Sequence, residues 1–157
     1  MGPIGHSAIS AGIGAGVWGI TGSPAAGGVA LGVGVLTDVD HLFDFYQWYI
    51  RRKPSKIYLL FHAWEYSITA LLIVGVFFYH PVLLAAALAH LGHVAPDPLH
   101  NGISPWGYSI TYRAFVRFET ARVAPRHHVL DAYKSWPRML PFGRRLELRP
   151  RQPRNIW

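Results

Sequence analysis

Five acidic residues, Asp38, Asp40, Asp44, Glu65 and Asp97, sit in or beside apolar stretches, and each lies within four residues of a histidine. A carboxylate at the centre of a bilayer costs roughly 2.5 to 3.5 kcal/mol on insertion scales, so several together require a metal, polar partners or water. Paired with imidazoles, they point to a metal site at a membrane surface. His62 with Glu65 and His90 with His93 share a helix face at i,i+3, and His93 with Asp97 at i,i+4.

One or two divalent ions held between Asp38, Asp40, His41, His62, Glu65, His93 and Asp97 would acidify water for attack on an ester or phosphoester. Mixed nitrogen and oxygen ligands fit zinc, manganese or iron, with zinc the expected ion. Glu65 and Asp38 are the candidate general bases. Ser109, Tyr112 and Arg113 could hold a phosphate or carboxylate head group, the arginine by a bidentate contact. The competing reading of that segment is an interfacial anchor with a snorkelling arginine. His90 reads equally as a ligand or as a hydrogen-bonding core residue, His80 as an interfacial residue, and Asp44 as a ligand or as a cap or partner of Arg51 or Arg52.

The elements that must position these groups are helical. Hydrophobic residues make up 51% of the chain and charged residues 15%, a balance that places it among integral membrane proteins. Cysteine is absent, which excludes disulfides, thiolate ligands and cysteine nucleophiles. Met1 to Gly5 carries no cation and precedes a Gly-rich run, so no cleaved signal peptide is expected. Ser7 to Leu36 reads as two short helices of about 13 residues joined at Thr21-Gly22-Ser23-Pro24, each roughly 20 Å long against a hydrocarbon core of about 30 Å. Gly12 with Gly16 and Gly28 with Gly32 have the spacing of a close helical hairpin. The Gly12 to Gly16 run lacks the preceding strand that a nucleotide-binding loop needs.

Asp40 to Ile50 reads as an aromatic interfacial helix ending in Arg51-Arg52-Lys53, Ile57 to Tyr79 as a spanning helix, and Val82 to Ala95 as its return, broken at Pro96-Asp97-Pro98. Every Lys and Arg lies in Arg51 to Lys56 or from Arg113 onward, which by the positive-inside rule puts both groups, and both termini, on the cytoplasmic side. The expected architecture is all-α: a small polytopic bundle over residues 1–125, with a short Gly-rich helical hairpin, and a basic, Pro- and Arg-rich tail over 126–157. Aromatics interleave with the tail's arginines, which suits anionic lipid or a protein partner. No nucleic-acid recognition fold is apparent.

Thr37-Asp38-Val39-Asp40-His41, His62 with Glu65, and His90-Leu91-Gly92-His93-Val94-Ala95-Pro96-Asp97 resemble the motifs of a family of small bacterial inner-membrane metal-dependent hydrolases that includes the LexA-binding hydrolases. The likeness runs from about His6 to Arg113. It implies a membrane-embedded hydrolase whose metal residues include His6, Asp38 to His41, His62, His93 and Asp97, and lipid-linked esters or phosphoesters are the substrate class in view. The rival expectation is a non-catalytic small membrane subunit that docks on a larger complex through its basic aromatic tail. A di-iron redox protein would need more bridging carboxylates, and a transporter an internal repeat.

Overall fold

The computed structural model describes residues 3–51, 53, 55–101 and 103–124, and every element among them is helical. The chain divides into units Met1–Arg126 and His127–Trp157. Expectations for the basic tail lie outside the described residues.

Helix α1 (Pro3–Thr21) ends where Gly22 takes φ +68°, a left-handed turn that glycine enters without steric cost. Helix α2 (Pro24–Leu36) starts at once, with Pro24 in its first turn and the Ser23 hydroxyl accepting the Ala26 N–H at 3.3 Å. The two helices pack on each other, though not through the glycines expected. Gly12, Gly16, Gly28 and Gly32 have nothing within 4 Å of a built Cβ, whereas one on Gly14 would lie 2.8 Å from the Gly27 carbonyl oxygen. Glycines are so frequent in both arms that several rows have the right spacing, and packing selects Gly14, Gly27 and Gly34.

Helix α5 (Pro81–Val94) lies against both arms, burying Ala85 and Ala89 with Val17, Ala26 and Ala30. His80, expected at an interface, caps it by accepting the Leu83 N–H at 3.4 Å. The expected break follows: a turn at Ala95-Pro96 separates α5 from α6 (Asp97–Asn101).

Two segments differ from expectation. The second arm does not stop at Leu36 but runs through a 3-10 turn (Thr37–Val39), α3 (Asp40–Phe45) and a π-turn (Tyr46–Ile50), since nothing between them breaks a helix. The Ile57 to Tyr79 segment is not one helix. Helix α4 (Trp64–Leu72) begins only at Trp64 and ends in a π-turn (Ile73–Phe77). The preceding backbone is claimed by buried carboxylates: Asp44 accepts the N–H groups of Tyr58 and Leu59, both at 2.9 Å, and Asp40 accepts that of Phe61 at 2.7 Å. These bonds replace helical ones, and Leu59 sits at φ +44°. Asp44 is therefore a backbone acceptor for that segment.

Two helical stretches, Pro24–Trp48 and Pro81–Asn101, each taken through its internal turns as one helix, are long and apolar enough to cross a membrane, and Trp64–Phe77 is a shorter apolar helix. Beyond them a 3-10 turn (Pro105–Tyr108), α7 (Ile110–Phe115) and α8 (Thr120–Val123) close the described chain.

Candidate metal centre

Six of the predicted side chains meet. His6 comes from the first turns of α1, Asp38 and His41 from the 3-10 turn and α3, His62 from the segment before α4, His93 from the last turn of α5 and Asp97 from the start of α6. Three overlapping trios, His6/Asp38/His93, Asp38/His41/His62 and His62/His93/Asp97, each place one ligand atom per residue within 4.8 Å of one another.

The outer hydrogen bonds fix how the imidazoles face. His93 Nδ1 lies 2.8 Å from the Gly34 carbonyl oxygen, which can only accept, so Nδ1 carries the proton. His62 Nδ1 lies 3.1 Å from both oxygens of Asp40, and the ionised carboxylate again takes the N–H. With both Nδ1 protons so assigned from partners, both Nε2 atoms present lone pairs, and they face each other at 3.2 Å. Asp38 Oδ1 adds a third acceptor, 3.2 Å from His93 Nε2, 3.4 Å from His62 Nε2 and 3.5 Å from His41 Nε2. Asp97 Oδ2 lies 3.7 Å from His62 Nε2, while its Oδ1 meets His6 Nε2 at 3.1 Å.

Nitrogen and oxygen atoms brought this close need positive charge among them, either a proton on one Nε2 or a metal ion. A tetrahedral ion with bonds of about 2.0 to 2.2 Å holds its ligand atoms about 3.3 to 3.6 Å apart, close to the spacing observed. The donor set and its outer partners thus fit a divalent ion, in the arrangement where each ligating imidazole gives its other N–H to a carboxylate or carbonyl. Burial works against charge on His62, but the Asp38 and Asp40 carboxylates prevail and hold its pKa up at about 9, so without an ion Nε2 carries a second proton, which a divalent ion would displace. The buried His/Asp group is built for positive charge.

Access is one-sided. His6, His62, His93 and Asp97 are sealed from solvent, whereas the side chains of Asp38 and His41 remain 24% and 17% exposed. The His6 ring stacks on His93 with centroids 3.7 Å apart and closes the far side.

Other predicted residues have different work. Asp40 stands behind His62, at Nδ1, rather than among the inward-facing atoms. Glu65, expected as a ligand and as a base, instead accepts from the Ser109 hydroxyl at 2.6 Å and from the Ile110 and Thr111 N–H groups at 3.1 Å. It holds the N-terminus of α7, where a carboxylate complements the helix dipole. The shared face assumed for His62 and Glu65 needed a continuous helix, and His62 lies before α4 begins. His90 is also engaged: Nε2 donates to the Phe61 carbonyl and Nδ1 accepts from Ser67, each at 2.6 Å.

The expected head-group binders behave likewise. Ser109 donates to Glu65 and accepts the Tyr112 N–H, and the Tyr112 hydroxyl donates to the Arg122 carbonyl at 3.5 Å. Arg113 neither snorkels nor reaches an exposed site. It is fully buried, and its Nη1 donates to the carbonyls of His62 at 3.0 Å and Gly107 at 3.2 Å, fixing the backbone that carries the central imidazole. Burial pushes its pKa below the usual guanidinium range. Sequence reasoning missed this role, and it missed Gly34, whose contribution is a carbonyl that no side-chain pattern announces.

Asp40→Asn tests the outer partner. The variant retains an acceptor for the Phe61 N–H but loses the charge that orients His62, and affinity for zinc falls by about 10- to 100-fold. Competition against a chelating dye measures this, and unchanged affinity would remove Asp40 from the site's support.

Fold and site define an all-helical protein with two helices long and apolar enough to cross a membrane, and a buried His/Asp cluster able to hold a metal ion. A scan against protein-family models, a search of curated proteins and a search of solved structures each return no match.

Proposed function

We propose that this protein is a metal-dependent hydrolase embedded in the bacterial inner membrane, cutting a lipid-linked ester or phosphoester at the cytoplasmic surface. One observation carries the reading: the Nε2 atoms of His62 and His93 face each other at 3.2 Å with their Nδ1 protons engaged elsewhere, and Asp38 Oδ1 lies beside both. The motif resemblance, from about His6 to Arg113, points the same way. So do exposed apolar side chains such as Leu36, Ile68, Leu72 and Phe77, which suit contact with lipid. Cations at Arg51 to Lys56 and from Arg113 onward, read by the positive-inside rule, support a cytoplasmic position for the polar clusters and both termini.

Asp38, His41, His62, His93, Asp97 and His6 would hold zinc, with manganese or iron as the competing ions. Such an ion supplies an acidified water and polarises the scissile carbonyl or phosphoryl oxygen. The chain's own residues do the rest. Asp38, the cluster's more open carboxylate, would ligate through Oδ1, which leaves its second oxygen as the candidate acceptor for the proton of attacking water. Asp40 and Gly34 keep the proton of each central imidazole on its outer nitrogen, and the sealed flank formed by His6 and His93 excludes bulk water.

The test is metal content with turnover. The purified protein is expected to carry zinc, to cleave an ester or phosphoester substrate, and to lose both properties on chelation, with His93→Ala and Asp40→Ala depleted of ion. Bound ion with no turnover on ester, phosphoester and peptide panels, together with a copurifying complex, would overturn the hydrolase in favour of the small-subunit reading.

A further inference from the structure

A groove of about 420 Å³ has Val33, Leu36, Thr37, Val39 and Phe61 in its walls, a volume within the range of small-molecule sites. Tyr66 and His90 complete it. Its polar lining residues offer little to a polar ligand. The Thr37 hydroxyl donates to the Val33 carbonyl at 2.8 Å, both nitrogens of His90 are bonded to Ser67 and Phe61, and the exposed surface of the lining is almost wholly apolar. A polar group placed here would lose its hydration without replacement, so the walls select hydrocarbon.

The groove and the metal cluster are parts of one construction. Thr37 and Val39 bracket Asp38, and Phe61 precedes His62. The Phe61 peptide serves both sides, its N–H bonded to Asp40 and its carbonyl to His90. Three wall residues of the groove are thus chain neighbours of the cluster residues Asp38 and His62. Charge complementarity sets the direction of a seated ligand, because an anionic or ester head is attracted to a divalent ion and an alkyl tail is not.

We infer that this groove seats one hydrocarbon chain of the substrate, so that the centre acts on a long-chain lipid ester or phosphoester whose head group lies at Asp38 and His41. The assignment of the head rests on the hydrolase reading; the chain site stands on the groove itself. Each further methylene buried tightens binding by about fourfold, until the groove is filled and the gain stops.

The experiment uses the full-length protein in phosphatidylcholine nanodiscs containing a palmitate that bears a mid-chain diazirine, with adducts mapped by mass spectrometry. Adducts are expected to concentrate on 33–39 and 61–66, in severalfold excess over the exposed apolar residues Phe77 and Trp106. Val39→Trp and Leu36→Trp, both at exposed positions, reduce those adducts severalfold while zinc content is unchanged. Adducts spread evenly over exposed apolar residues, or indifferent to both substitutions, would show contact with bulk lipid only and overturn the inference. The failures are separable: focused adducts without turnover sink the hydrolase and leave the chain site, whereas turnover with scattered adducts does the reverse.

Discussion

In His62→Ala, bound zinc falls to background and hydrolysis disappears with it. His62 Nε2 belongs to two of the three ligand trios, one with Asp38 and His41, the other with His93 and Asp97. Its removal therefore weakens both ends of the cluster at once. Loss of an outer partner costs about 10- to 100-fold in affinity, and loss of a shared inner ligand exceeds that. The fold survives the change, because Asp40 still accepts the Phe61 N–H at 2.7 Å and Arg113 bonds the backbone carbonyl of residue 62 rather than its ring. Elemental analysis per mole of protein, read beside a thermal unfolding curve, separates the two effects. Full zinc occupancy in a folded His62→Ala protein would remove the centre from His62.

That prediction draws on residues the sequence made visible, and the limits of that visibility are physical. The cluster's six members could be read because buried imidazoles and carboxylates need partners wherever they lie. Their local geometry could not. The segment before α4 is held out of helix by Asp44 and Asp40, whose partners lie 14 to 21 residues away in sequence. Hydropathy and periodicity carry no trace of bonds at that range. Once His62 is understood to precede the helix, Glu65 no longer shares its face, and both its loss as a ligand and its bond to Ser109 follow. Arg113 was misjudged for the opposite reason: a basic residue near an apolar segment usually snorkels, and nothing local in the sequence announces the two carbonyls that take its Nη1 or the carboxylates of Asp40 and Glu65 that favour its charge.

Gly34 carries the second large effect. Gly34→Ala destabilises the protein and weakens zinc binding together. A Cβ at residue 34 would overlap the Cβ and Oγ of Ser10, which is fully buried on α1, so two helix backbones must move apart. Forced overpacking of this kind costs about 1 to 3 kcal/mol. The damage reaches the metal cluster because the Gly34 carbonyl takes the His93 Nδ1 proton at 2.8 Å, and a displaced α2 leaves that imidazole untied. Ser10→Ala would not relieve the clash, since it keeps the offending Cβ. Ser10→Gly would, and it sacrifices no bond that the described residues make, for Ser10 Oγ has no hydrogen-bond partner among them. The double variant Ser10→Gly/Gly34→Ala therefore regains stability and zinc affinity relative to Gly34→Ala, with a coupling of about 0.5 to 3 kcal/mol in a double-mutant cycle. Additive losses in that cycle would mean that α1 and α2 do not meet at these two residues, and the route from helix packing to the orientation of His93 would fall with them.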